Sequence, residues 1–227
     1  MAELDNLALV QRFIRLPLAQ RQAFLDKLAG RGMSLSQFPI PAMRGEFAQL
    51  PLSYAQQRQW FLWQLDPQSR AYHIPSALRL RGALDIQALQ AAFNDLIARH
   101  ETLRTRFRIG DDDQAWQVID TPVELQLHVD HVPTGLDSAA REQAVQAFIS
   151  SQTQALFDLQ RAPLLRVGLL RLAVDEHVLV LTLHHIVADG VSMGILIDEM
   201  VACYAARSQG QVPQLAALAI QYPDYAI

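Results

Sequence analysis

Apolar and polar residues alternate most regularly in the last third of the chain. Residues 164–172 alternate as a strand, residues 174–176 read as a turn, and residues 177–183 are almost continuously apolar. A strand that is apolar on both faces lies inside a sheet covered by helices. The helical spacing that follows predicts a helix over residues 192–206.

The middle of the chain predicts further helices and strands. Asp85 is a plausible helix N-cap, because the apolar residues after it recur at helical spacing, and Ser53 is a second candidate cap. Helices are predicted over residues 54–61, 86–97 and 138–157, and strands over residues 78–80, 103–109, 116–119 and 125–129. Alternating strands and helices indicate an α/β (α+β) fold with a mixed sheet covered by helices.

The first 50 residues differ from the rest of the chain. Residues 7–15 are amphipathic, and Pro17 can occupy the first turn of a second helix. An extended stretch with two prolines follows at residues 38–41. We therefore predict a helical leader and linker over residues 1–50, which packs on another surface, and a globular lobe over residues 51–227.

Composition excludes several classes of function. The net charge is −4 and no basic stripe is visible, so no nucleic-acid partner is expected. The longest apolar runs have about seven residues, against roughly 18 for a membrane span, so no membrane partner is expected. The single cysteine, Cys203, rules out an intrachain disulfide and argues against a cysteine-based zinc site, which indicates a cytoplasmic protein.

Candidate chemistry is concentrated where the buried strand ends, at His184 and His185. An imidazole exchanges protons near neutral pH, since its ordinary pKa is about 6.5. Successive strand residues point to opposite faces, so only one of the two rings can face a given cleft. Asp189 and Gly190 follow closely, and Gly190 permits a sharp turn or the close approach of a substrate to the backbone.

Spacing alone leaves three interpretations of this segment open. The first is a structural histidine pair with Asp189 capping the next helix. The second is a His-His-Asp metal site, and the third is a catalytic base supported by an aspartate. The other histidines are predicted to be structural or peripheral: His100 ends a helix, and four lie at the surface or rim, namely His73, His128, His131 and His177.

Four segments together resemble the condensation domain of nonribosomal peptide synthetases. Residues 53–62 resemble S-x-A-Q-x-R-L-W-x-L, with Gln59 where leucine is usual, and residues 99–107 match R-H-E-x-L-R-T-x-F in full. Residues 184–190 match H-H-x-x-x-D-G, and residues 222–226 match the start of Y-x-D-Y-A-x-W. One such motif is a weak signal, whereas four in the family's order are a strong one.

The resemblance implies a chloramphenicol-acetyltransferase-like lobe, one half of a two-lobed V. A complete domain of this family is about twice as long, so residues 51–227 are expected to be the N-terminal lobe without its C-terminal lobe. The implied reaction joins an acyl or peptidyl donor thioester to an aminoacyl acceptor through an amide bond. The general look of the sequence suggests a siderophore-type bacterial synthetase.

The resemblance also assigns roles and partners. His185 corresponds to the active-site imidazole, the Gly190 N–H is placed to hold the developing oxyanion, and Asp189 orients the loop through an arginine that usually belongs to the other lobe. Structural support of the site is assigned to His184, Asp189, Arg104 and His100. No metal and no tightly bound cofactor are expected, since substrates ride on the phosphopantetheine of donor and acceptor peptidyl carrier proteins, beside an adenylation domain.

Three alternatives to an active condensation enzyme stay open. An epimerisation domain shares H-H-x-x-x-D-G, and Val191-Ser192 leans that way because condensation domains often have Trp-Ser there. A coenzyme A-dependent acyltransferase suits the first two motifs poorly. A single lobe that binds a carrier protein without chemistry is the third, and for this chain alone we expect inactivity and an exposed apolar face.

Overall fold

The computed structural model describes residues 2–227, and Met1 of the predicted leader lies outside this range. The helices are α1 (Ala2–Ile14), α2 (Leu18–Ala29), α3 (Tyr54–Leu65), α4 (Ile86–Arg99), α5 (Ser138–Gln154), α6 (Gly190–Arg207) and α7 (Tyr222–Ala226). The strands are β1 (Leu50–Pro51), β2 (His73–Arg81), β3 (Thr105–Ile109), β4 (Ala115–Ile119), β5 (Val129–His131), β6 (Leu165–Ala173) and β7 (Glu176–His184).

The main sheet has the strand order β2-β7-β6-β5 and is mixed, as predicted. Strand β7 is antiparallel to both neighbours, while β5 and β6 are parallel. Every residue of β7 after Glu176 is buried, which confirms the predicted central strand. The register places His184 opposite His73 of β2 at one end of the sheet.

Helices cover both faces of this sheet. On one face, α4 and α6 pack against Leu179, Leu181 and Leu183. On the other face, α5 packs against Val178 and Val180. The alternation follows from the two-residue period of a strand, and it makes β7 the centre of the core.

Gly168 of β6 leaves room for a side chain of α5 that packs directly on the strand. A Cβ atom on Gly168 would lie 2.7 Å from the side chain of Gln152. That separation is too short for a carbon contact, so a larger residue at position 168 would displace the Gln152 side chain that packs there.

A smaller antiparallel sheet, β1-β4-β3, packs with α3 beside the main sheet. Helix α3 begins with the predicted cap: Ser53 accepts a hydrogen bond from the Gln56 N–H, and the Gln56 side chain accepts one from the Ser53 N–H. This reciprocal pair satisfies two N–H groups that a helix start leaves free. Trp60 of α3 then packs against Phe107 of β3 in the buried core.

The leader packs against the rest of the chain. Val10 and Ile14 of α1 are buried with Met43, and Ile227 contacts the same cluster. Helix α2 begins after Pro17, and Gly30 follows its last residue. Apolar residues of the leader therefore pack against both the linker and the last residue of the chain described.

Two predictions were wrong. The strand predicted over residues 125–129 is displaced to β5, because the Leu125 and Leu127 N–H groups donate to side chains of α4, Asn94 and Gln90, instead of to a strand. The surface or rim position predicted for His177 is also wrong, since this residue is 2% exposed within β7. Burial lowers the pKa of His177, so its ring is kept neutral.

Candidate active site

The two adjacent histidines lie on opposite sides of the end of β7. The His184 side chain is buried, and His185 is exposed. The His185 N–H donates to the Tyr72 carbonyl at 2.8 Å, which continues the pairing of β7 with β2 by one residue. The predicted divergence of the two rings is therefore present, and His185 is the one that lines a cavity.

His184 holds the turn that follows the strand. Its Nδ1 atom accepts a hydrogen bond from the Ile186 N–H at 3.2 Å, and its ring packs among Tyr72, His73 and Phe157. Burial lowers the pKa of His184 to about 4, and the neighbouring His73 and His185 act in the same direction. His184 is therefore neutral at pH 7 and free to accept through Nδ1.

The buried His184 predicts a pH dependence of stability. Its folded-state pKa of about 4 lies below the ordinary 6.5, so its contribution is full above pH 6.5 and is lost as the pH falls toward 4. The expected loss between pH 7.5 and 4 is about 3 kcal/mol of unfolding free energy, at 1.36 kcal/mol per pKa unit.

Urea unfolding at the two pH values measures this loss. His184→Asn keeps an acceptor near Nδ1 and cannot take up a proton, so its decrease in stability should be smaller by the amount assigned to His184. His128→Asn is the matched control, since the His128 side chain is 87% exposed, and it should keep the full decrease. Equal decreases in both variants would contradict the assignment.

The cavity beside His185 has a volume of about 530 Å³ and a mostly apolar lining. Residues from α3, from the segment just after α4 (residues 100–103), from residues 183–189, from α6 and from the C-terminal segment surround it. Gln59 of α3 touches His185 directly, because its Nε2 donates to the His185 carbonyl at 3.2 Å and lies 3.5 Å from His185 Nδ1. Two imidazoles line this apolar cavity, those of His185 and His100, and a cavity of this kind suits a mostly apolar ligand group.

Asp189 also lines the cavity and caps α6. Its Oδ1 atom accepts hydrogen bonds from the Ser192 N–H at 2.8 Å and from the Ser192 hydroxyl at 2.6 Å. Both hydrogen bonds lower the pKa of Asp189, and the bond from the Ser192 hydroxyl has the larger effect. Within residues 2–227, no arginine or lysine forms an ion pair with Asp189.

Gly190 is the first residue of α6, next to the cavity-lining Asp189. Its N–H has no partner within the helix, because the first N–H groups of a helix have no carbonyl before them, and it points along the positive end of the helix dipole. A Cβ at this position would meet nothing within 4 Å, and the backbone is not in the left-handed region. Neither a left-handed backbone nor a crowded neighbour therefore requires glycine at this position, and the predicted sharp turn is not the reason for it.

His100 and Arg104 make mainly structural contacts. His100 lines the far side of the cavity and donates from Nε2 to Glu199 of α6 at 2.6 Å, where Arg99 donates as well. Burial raises the pKa of Glu199, but these hydrogen bonds outweigh it and the net shift is downward. Arg104 donates to the Asp120 carbonyl at 2.6 Å, at the end of β4, and does not line the cavity.

Sequence reasoning missed three residues that shape the site. Gln59 touches His185, and its only sequence signal was a departure from the leucine usual in the first motif. Asp224 is a buried carboxylate that binds the linker, and Ile40 of that linker lines the cavity. Within residues 2–227, no group of three or more histidine, cysteine, aspartate or glutamate side chains is arranged to hold a metal ion.

The profile of the condensation domain family matches residues 47–227. The chain belongs to the condensation domain family. Among relatives, this condensation-domain chain is 44% identical over 199 residues to one of the linear gramicidin synthase proteins of Brevibacillus parabrevis, covering 88% of the chain and 2% of that protein. It is 42% identical over 205 residues to malpibaldin synthetase of Mortierella alpina, covering 90% of the chain and 4% of that protein.

Solved structures support the same family and fold. The X-domain from teicoplanin biosynthesis superposes with a TM-score of 0.71 at 38% identity, covering 79% of this chain and 37% of that one. The starter condensation domain of rhizomide synthetase gives a TM-score of 0.69 at 26% identity, covering 77% and 41%. The condensation-domain chain thus spans less than half the length of these solved chains and a few per cent of the curated relatives. No helix within residues 2–227 is both long and apolar enough to cross a membrane.

Proposed function

We propose that this chain supplies the His185 half of a condensation active site that joins two carrier-bound thioesters through an amide bond. The observation that carries the proposal is the contrast at the end of β7. His184 is buried and neutral, whereas His185 is exposed on the wall of an apolar cavity. The family membership supports peptide-bond formation as the reaction class.

The proposed reaction is attack by the acceptor α-amine on the donor thioester carbonyl. A C–N bond forms, the tetrahedral oxyanion collapses, and the C–S bond breaks to release the phosphopantetheine thiol of the donor carrier. His185 takes the proton that the amine loses and returns it to the departing sulfur, so the reaction is balanced. The Gly190 N–H, free at the start of α6, is the proposed oxyanion donor.

Orientation contributes more than proton removal in this proposal. An α-amine has a pKa of about 7.7–8.0, so neutralising it at pH 7 costs only about 1–1.4 kcal/mol. Holding two reactants in the right geometry contributes about 7–11 kcal/mol. We therefore assign His185 first to a hydrogen bond that positions the amine and second to late proton transfer.

The proposed domain organisation places residues 51–227 as the N-terminal lobe, preceded by the leader and linker over residues 1–50. Two observations support a second lobe across the site. Asp189 forms no ion pair with an arginine or lysine within residues 2–227, and several apolar side chains of α3 and α6 are exposed, namely Tyr54, Phe61, Leu65, Val191 and Ile195. Peptidyl carrier proteins, with an adenylation domain beside them, are the proposed partners. The siderophore product class stays a prediction.

A single-turnover assay with loaded donor and acceptor carriers, read by intact mass, tests the proposal. The chain is compared with a version extended through a second lobe. Condensation product from the extended version alone is the expected result. If neither version forms product and the acceptor is epimerised instead, the epimerisation alternative suggested by Val191-Ser192 replaces condensation.

A non-catalytic binding lobe is the second candidate function. It is favoured by the similarity to the X-domain from teicoplanin biosynthesis, which has been solved in complex with OxyB. A lobe of this kind would bind a protein partner without forming product. Binding of a loaded carrier by the extended version, with neither condensation nor epimerisation, would support this candidate.

A further inference from the structure

The cavity beside His185 is lined in part by the linker that precedes the family match. Ile40 lies in the extended stretch over residues 38–41, seven residues before the first residue of the match, and it is 41% exposed. Its side chain shares the cavity with His185 and with Ile195 and Leu196 of α6. Part of the cavity lining, the residue Ile40, therefore comes from a segment outside the matched domain.

A buried carboxylate binds this linker to the lobe. Asp224 of α7 has a fully buried side chain, and its Oδ1 atom accepts from the Met43 and Arg44 N–H groups, both at 2.8 Å. The Arg44 guanidinium donates to Asp224 Oδ2 at 2.9 Å and also pairs with Glu101 at 2.7 Å. Charge-assisted hydrogen bonds are stronger than neutral ones, so these three bonds to Asp224 hold the linker at residues 43–44 in place.

The same short helix also contributes to the cavity. Tyr222 and Tyr225 of α7 line it together with Gln221 and Ile220, which come just before. Gln221 is itself tied to the lobe, since its side chain donates to the Arg99 carbonyl at 2.9 Å and accepts from the Glu101 N–H. The linker and α7 are thus bonded to each other, and both contribute residues to the lining of the cavity.

We propose that Ile40 limits the size of the apolar side chain that the cavity accepts next to His185. The inference rests on the proposed function, because it takes this cavity to be the site of an acyl or aminoacyl group. It deepens that function by assigning a specificity-determining residue to the linker. Removing or enlarging the isoleucine side chain should therefore change the space available to the substrate side chain.

Binding of stable amide analogues of aminoacyl-pantetheine tests this proposal on the whole chain. Glycyl, alanyl, leucyl and phenylalanyl probes are titrated calorimetrically into the unchanged chain, Ile40→Ala and Ile40→Trp. One methylene in a hydrophobic pocket is worth about tenfold or more, so Ile40→Ala should shift the preference toward leucyl and phenylalanyl probes by at least about tenfold. Ile40→Trp should still bind the glycyl probe and should no longer bind the larger probes.

Ile109 provides the matched control, since it is an isoleucine of similar exposure, 50%, that does not line the cavity. Ile109→Ala and Ile109→Trp should leave the order of preference unchanged. An unchanged order in both Ile40 variants would overturn the inference, and so would the failure of every probe to bind the unchanged chain. The condensation assay on a His185→Ala variant is separate: if that variant condenses normally, the proposed function fails even where the Ile40 variants shift the preference.

Discussion

His185→Ala is expected to lower the single-turnover condensation rate of the extended, two-lobed version by about 10²–10⁴-fold, the usual contribution of a positioned acid–base group. The imidazole is the titratable side chain that the end of β7 presents to the cavity, and alanine can neither orient the amine nor carry its proton. Because His185 is exposed, the free energy of unfolding should change by less than about 0.5 kcal/mol. Loss of activity would then be a loss of chemistry, not of folding.

Two controls accompany this variant. His128→Ala removes an exposed imidazole that does not line the cavity and should leave the rate unchanged. Carrier binding to His185→Ala should match the unchanged protein, because an exposed side chain is removed without a change of fold. A rate within threefold of the unchanged protein would remove His185 from the mechanism.

Asp224→Asn is expected to destabilise the chain by about 3–5 kcal/mol, the cost of breaking a buried ion pair by changing one partner. Asparagine can keep one oxygen toward the Met43 and Arg44 N–H groups, but it turns an NH₂ group toward Arg44 Nη1 and the Gln221 N–H. Burial raises the pKa of Asp224, yet the backbone hydrogen bonds and Arg44 bring it below its ordinary value. Its contribution is therefore present at neutral pH and lost on acidification through that lowered pKa.

Urea unfolding at pH 7 measures the change, with Asp198→Asn as the control. Asp198 is exposed on α6, and its replacement should alter stability by less than about 0.5 kcal/mol. Limited proteolysis gives a second measurement, since release of the linker should create new cleavage sites between Phe38 and Arg44. A stability loss for Asp224→Asn no larger than for Asp198→Asn would show that the linker is held by its apolar contacts instead.

Local signals explain which parts of the fold could be predicted. Ser53 and Asp85 cap the helices that follow them, and the apolar run of β7 is the central strand, because caps and burial patterns depend on residues close in sequence. The position of β5 depended on Asn94 and Gln90, more than 30 residues away, which satisfy the backbone that would otherwise pair as a strand. His177 looked peripheral beside a turn, but the side-chain period of β7 turns it inward.

In the candidate site, too, the features set by neighbouring residues could be predicted and those set by distant residues could not. The divergence of His184 and His185 followed from strand geometry, and the capping role of Asp189 was one of the open interpretations. Gln59 and Ile40 reach the cavity through tertiary packing of α3 and the linker, which no spacing along the chain reports. The role of Asp224 depends on Arg44, 180 residues earlier, and no local pattern connects the two.

The attachment of Arg44 to Asp224 and Glu101 bears on how modules of this kind can be exchanged. A junction placed at residue 47, where the family match begins, would give α7 a foreign segment and leave a buried carboxylate to find new donors. It would also replace Ile40, and with it one residue that lines the cavity beside His185. A chimaera joined before residue 33 would keep Ile40, the Asp224-bound residues Met43 and Arg44, and His185 together from the same parent protein.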